Sequence, residues 1–211
     1  EKTVKDYYKK VVGASATSEA AAKLVAPLKS MLNCGAMAQT LFEHNLGENN
    51  ANLANKDLYV GGSNPINDMT AEHFYDVTTL PVHKNEGTGI EFLGGSALLQ
   101  STIGLRIYFT CPDDVTSANI YKGKADDPTS QKITVKIRTD DSNGKKFVAI
   151  TNILATQFDT RFTVEVAGQN GQNAYFEYSV LDYALNAMDS YLANDALKNT
   201  AKALYLFYAG M

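Results

Sequence analysis

The sequence predicts an α+β protein in which an antiparallel, immunoglobulin-like β-sandwich is flanked by two related helical hairpins. Three observations carry this. Apolar residues recur at helical spacing near both ends of the 211-residue chain, and they alternate with a period of two through its middle. The segment Glu177-Tyr-Ser-Val-Leu-Asp-Tyr183 also repeats the pattern of Glu1-Lys-Thr-Val-Lys-Asp-Tyr7. In both copies a hydroxyl stands three residues before an aspartate, Thr3 before Asp6 and Ser179 before Asp182. This is capping-box spacing with Asp in place of Glu or Gln: the hydroxyl can accept from an early helix N–H, and the carboxylate favours the positive helix end. Thr3, Asp6, Ser179 and Asp182 are therefore structural caps.

The first hairpin occupies residues 1–45. Val4, Tyr7, Tyr8 and Val11 mark a helix over 3–12, and Tyr7, like Tyr183, is expected to pack as a core or hinge residue. Thr17 or Ser18 caps a longer helix over 18–43, with Leu24, Leu28, Met31, Leu32, Met37 and Leu41 on its apolar stripe. Pro27 should kink that helix, and Gly35 within the stripe suggests close approach of a neighbour. Residues 46–85 are rich in Asn, Asp and Gly and read as an ordered loop, with a short helix at 70–75 and an extended piece at 76–84. The sandwich spans 86–178, with strands at 89–93, 96–100, 103–111, 118–122, 133–139, 146–155, 161–167 and 173–179. Asp140-Asp-Ser-Asn-Gly144 and Gln169-Asn-Gly-Gln-Asn173 are its hairpin turns, and Gly87-Thr-Gly89 and Gly94-Gly95 mark strand boundaries. The second hairpin, 179–211, has helices at 180–191 and 195–209, the latter capped by Asn194 or Asp195. It follows the last strand without a linker. By analogy, Glu1 to Val4 would end a strand of an upstream module, and a leader would have been removed.

Composition narrows the function classes. Hydrophobic residues make up 45% and charged residues 20%, the balance of a folded chain. A net charge of -4 and a pI near 5.4 argue against nucleic-acid or anionic-membrane surfaces. No apolar run is long enough to span a bilayer, so no membrane insertion is expected. Two cysteines cannot form a disulfide scaffold; Cys34 and Cys111 read as buried thiols, with a single bridge open if the chain is exported.

At Tyr178-Ser-Val-Leu-Asp-Tyr183, Ala196-Leu-Lys-Asn-Thr-Ala-Lys-Ala-Leu204 and Leu32-Asn-Cys-Gly-Ala-Met-Ala-Gln39, the chain resembles a recurrent region in secreted, modular surface proteins of Gram-positive gut anaerobes. Gly95-Ser-Ala-Leu-Leu-Gln100, followed by Ile103-Gly-Leu-Arg-Ile-Tyr-Phe109, is similar to the central strand pair of those regions. The resemblance implies export, a cell-surface location and neighbouring modules of the same polypeptide as partners. It implies no reaction.

Chemistry is sparsely signalled. His44, His73 and His83 lack zinc-type spacing, and no P-loop, nucleophile elbow or dinucleotide fingerprint occurs. No cofactor is expected. Calcium is the one candidate, at the oxygen-rich pairs Asp113-Asp114 and Asp126-Asp127, for which turn chemistry is the simpler account. The expected function is a non-catalytic structural or adhesive module. A carbohydrate-binding module is the alternative, using Tyr and Asn side chains toward a glycan or a host or cell-wall surface, and a hydrolase domain is a second alternative. Candidate ligand-binding residues are Tyr59, Tyr75, Arg106, Tyr108 and Tyr121, with Arg106 and Tyr108 together on the polar face of one strand.

Overall fold

Alternation and helical spacing translate into two sets of elements, seen in a computed structural model that describes residues 4–42 and 80–211 apart from 101, 124, 126, 128 and 129. Thr3, Tyr59, Tyr75, His44, His73, Asp126 and the loop up to residue 79 lie outside the described residues. The chain divides into two compact units, Asp76–Tyr183 and the remainder, Glu1–Tyr75 with Ala184–Met211.

The helical unit contains α1 (Val4–Ala14), α2 (Glu19–Leu41), most of α3 (Val180–Asp189) and α4 (Asp195–Ala209). Of the two residues that could cap α2, Ser18 does so, its Oγ accepting from the Ala21 N–H at 3.3 Å; Asn194 caps α4 by accepting from Leu197 N–H at 2.9 Å. Helices α2 and α4 pack together, and the Thr200 hydroxyl donates to the Met37 carbonyl at 3.1 Å. Two expectations are corrected here. Gly35 faces solvent with no atom near its would-be side chain, while its neighbour Ala36 is fully buried, so the close packing falls one residue further on. Tyr7 is 49% exposed rather than in the core; Val11 is the buried residue of α1. Ala184, Ala187 and Ala201 form a small apolar cluster from α3 and α4, flanked by Met188, Leu197 and Tyr205.

The other unit is a sandwich of two antiparallel sheets. Its strands are β1 (His83–Lys84), β2 (Phe92–Leu99), β3 (Ile103–Phe109), β4 (Ser117–Lys122), β5 (Lys132–Lys136), β6 (Arg138–Thr139), β7 (Lys146–Ile153), β8 (Phe162–Ala167) and β9 (Asn173–Tyr178). The five-stranded sheet runs β1-β9-β8-β4-β5, and the four-stranded sheet runs β2-β3-β7-β6. Inward residues at alternate positions, among them Leu105, Ile107 and Phe109 of β3, Val164 and Val166 of β8 and Phe176 of β9, are fully buried. Phe109 stacks on Phe176 with centroids 6.1 Å apart, which joins the two sheets through their cores.

Strand boundaries differ from expectation in two places. The segments 89–93 and 96–100 are not separate strands. They form the single strand β2, bulged between Phe92 and Gly94. Gly94 adopts φ 118° at the bulge, and Gly95 leaves the space that the Tyr178 ring fills, so these glycines admit a bulge and a close approach rather than a turn. The segment 133–139 is two strands in different sheets. Between them Ile137 is buried and donates its N–H to the Thr116 carbonyl, and the chain crosses from one sheet to the other there. In the turn after β6 only Gly144 has positive φ, whereas Asn170 (58°) and Gly171 (73°) both do in the turn before β9.

Tyr178 ends β9 and Val180 begins α3, which leaves Ser179 alone at the changeover. The Asp182 N–H donates to Ser179 Oγ at 2.9 Å, and the Leu181 N–H donates to the Phe158 carbonyl at 3.0 Å. The Asp182 carboxylate takes a two-pronged pair from Arg161, Nε to Oδ2 at 3.1 Å and Nη2 to Oδ1 at 3.0 Å, a partner that the capping-box pattern alone does not reveal.

Candidate ligand-binding face

The antiparallel register of the five-stranded sheet lines up polar residues that are far apart in sequence. Lys84 stands opposite Tyr175, Tyr175 opposite Glu165, Glu165 opposite Asn119, and Asn119 opposite Thr134, a single rung crossing all five strands. Two residues along the strands, Glu177, Thr163, Tyr121 and Lys132 form a second rung on the same face. Because side chains alternate, this face points away from the core that Val164, Val166 and Phe176 occupy.

Glu165 is the hub. Its Oε2 accepts from Asn119 Nδ2 at 2.7 Å and from the Tyr121 hydroxyl at 2.9 Å; its Oε1 accepts from Asn173 Nδ2 at 2.8 Å and from the Tyr175 hydroxyl at 3.0 Å. The Thr134 hydroxyl in turn donates to Asn119 Oδ1 at 2.9 Å, which fixes the orientation of that amide. Four donors fill the four lone-pair directions of one carboxylate. Partial burial alone would raise the Glu165 pKa, but the four hydrogen bonds outweigh it and hold the carboxyl below its usual range. The phenols move the other way. Tyr121 is pushed up to about 12, by burial first and then by its bond to the Glu165 charge, and Tyr175 is raised for the same reasons.

Beside this hub the face sinks into an open hollow of about 440 Å³, lined by Val82, Lys84, Tyr121, Ala125, Thr163, Tyr175 and Glu177. The volume lies within the ~300–1,000 Å³ range of small-ligand sites. Thr163, short and buried between Tyr121 and Glu177, makes the floor, and its hydroxyl donates to the Gly123 carbonyl. Glu177 Oε2 accepts the Val82 N–H at 3.1 Å, and the Glu177 N–H donates to the Val82 carbonyl, so the edge strand is tied to the wall of the hollow.

Among the candidate residues, Tyr121 lies in this hollow. Arg106 and Tyr108 share the outward face of the four-stranded sheet, where both donate to Asp140 Oδ2, at 3.2 and 2.9 Å. Arg106 also covers the Phe147 ring at 4.7 Å, so this pair is engaged with its own sheet. At the Asp113-Asp114 loop, Lys146 Nζ donates to the carbonyls of Cys111 and Pro112 and to Asp113 Oδ1, at 3.0, 3.0 and 2.7 Å. An ammonium group thus stands among the oxygens of the Asp113-Asp114 loop. Among the described residues no group of three or more His, Cys, Asp or Glu side chains could hold a metal ion. Cys34 and Cys111 are free thiols, and burial pushes Cys34 up to about 12, far from a reactive thiolate.

Sequence reasoning missed Glu165, Asn119, Asn173, Tyr175, Thr163, Lys84 and Glu177. All but Lys84, which falls in the expected 46–85 loop, sit at alternating positions of expected strands, but only strand order and register bring them together. The fold and face define the class: a β-sandwich carrying a preorganised polar and aromatic hollow on one sheet, in a chain that also holds a helical unit. No protein-family model, curated protein sequence or solved structure significantly matches the chain. No helix among the described residues is long and apolar enough to cross a membrane.

Proposed function

We propose that the protein is a non-catalytic, adhesive carbohydrate-binding module that holds a saccharide in the hollow of the five-stranded sheet. The observation that carries this reading is the locking of Tyr121 and Tyr175 by Glu165 at the margin of an open hollow. Sugars are bound by aromatic surfaces combined with a few fixed polar groups, and rings held in place before binding lose little entropy on it. The same electrostatics disfavour proton-transfer chemistry. A catalytic acid or base works best with a pKa near the operating pH, whereas here the carboxyl is moved down and the phenols up, both away from neutrality.

The proposed setting is an exported cell-surface protein with neighbouring modules, with the two helix pairs as related hairpins and the sandwich as immunoglobulin-like. The sequence resemblance and the linker-free passage from β9 to α3 support it.

Affinity electrophoresis against soluble polysaccharides tests the binding reading. The wild-type protein is expected to be retarded by at least one glycan. Tyr121→Ala and Tyr175→Ala should weaken that interaction by tenfold or more, about 1.4 kcal/mol, with unchanged circular dichroism. Absence of retardation across a broad panel, together with silence on a glycan array, would refute it.

A further inference from the structure

The direction of the hydrogen bonds around Glu165 selects the ligand. Resting on the carbohydrate-binding reading, we propose that the hollow recognises a saccharide bearing a free, protonated amino group, with Glu177 as its counter-charge.

An ionised carboxylate only accepts, so both phenols must spend their one proton on Glu165. Their oxygens can therefore meet a ligand only as acceptors; the Tyr175 oxygen is also approached by the Asn173 amide. Thr163 likewise gives its proton to the Gly123 carbonyl. Glu177 uses Oε2 for the Val82 N–H, and its other oxygen has no hydrogen bond among the described residues. The polar lining is thus a set of acceptors plus one cation, Lys84, whose ammonium has no partner among the described residues.

Such a lining suits a ligand rich in donors. The two charged residues of the lining, Glu177 and Lys84, balance each other, so it is the excess of acceptors around Glu177 that favours an ammonium over a carboxylate. An ammonium meets Glu177 and the phenol oxygens and lies near the negative ring faces of the tyrosines. Lys84 donates to hydroxyls elsewhere on the sugar. A uronic or sialic acid would instead bring its charge against Glu177 and into a lining poor in donors.

Isothermal titration with glucosamine oligomers and N-acetylglucosamine oligomers of equal length tests this, at a pH where the amine is protonated. The free-amine oligomer should bind about two- to fivefold more tightly than the acetylated one, the scale of a single partly exposed charge contact. Glu177→Gln, which keeps an oxygen for the Val82 N–H, should weaken the free-amine oligomer more than the acetylated one and so erase that preference, while leaving the thermal midpoint unchanged. Lys84→Gln should preserve the preference. Equal binding of both oligomers, tighter binding of the acetylated one, or an equal loss for both in Glu177→Gln would overturn the amine inference and leave the carbohydrate reading standing. If neither these oligomers nor any glycan on the panel binds, the carbohydrate reading itself fails.

Discussion

Phe176→Ala is expected to destabilise the sandwich by about 3–5 kcal/mol, the range for emptying a large aromatic from a packed core. Phe176 is fully buried and touches both layers. It stacks with Phe109 at 6.1 Å and lies 5.6 Å from Phe92 and 6.0 Å from His83. Its removal opens a void where β1, β2, β3 and β9 meet, and these elements cannot all collapse into it. Since a domain is typically stable by only ~5–15 kcal/mol, the variant should unfold at much lower denaturant concentration. Phe176→Leu, which keeps most of the volume, should recover a large part of the loss. A midpoint for Phe176→Ala within error of wild type would show that the two sheets are not held through this contact.

Arg161→Ala is expected to cost about 3 kcal/mol, because it removes the guanidinium from a carboxylate that is only 3% exposed. Both prongs of the pair are within 3.1 Å, and Asp182 donates its N–H to the buried Ser179 hydroxyl at the start of α3. Adding Asp182→Asn to Arg161→Ala should restore part of the stability, since the buried charge is then gone; the coupling measured by the double-mutant cycle is expected to exceed 1 kcal/mol. Additive effects of the two substitutions would mean that the ion pair contributes nothing to the strand-to-helix joint.

Most of the architecture was legible because local signals agreed with each other. Five of the strands, β3, β4, β7, β8 and β9, and the four helices among the described residues lie within a few residues of their expected positions, and Ser18 and Asn194 act as the caps that helix-start chemistry demands. Errors arose where tertiary context decided. Gly94 and Gly95 read as a turn in isolation, but the Tyr178 ring, 83 residues away in sequence, occupies the space above Gly95. Gly35 read as a close contact because nothing local distinguishes it from Ala36. The polar face of the five-stranded sheet was hardest to see. Glu165 looks like any outward strand carboxylate until register sets Asn119 and Tyr121 on one side and Asn173 and Tyr175 on the other. Tyr121 stands out in sequence only as a tyrosine expected to be exposed, and its partners need the sheet.

The Glu165 network also sets the pH response. A carboxyl whose folded pKa is lowered stabilises the fold above its unfolded value, near 4.5, and that stability is lost as the pH falls below it. A phenol whose pKa is raised stabilises the fold below its unfolded value, near 10.0, and the contribution fades as the pH climbs from there toward about 12. Glu165→Gln should remove the acid-side contribution and relax the alkaline one.

NMR titration of isotope-labelled tyrosine tests most directly whether Glu165 commits the phenols of the hollow. Tyr121 should titrate near 12 in the wild-type protein and return toward 10.0 in Glu165→Gln. A Tyr121 that titrates at the ordinary value in the wild type, or that is indifferent to Glu165→Gln, would contradict the account of the hollow.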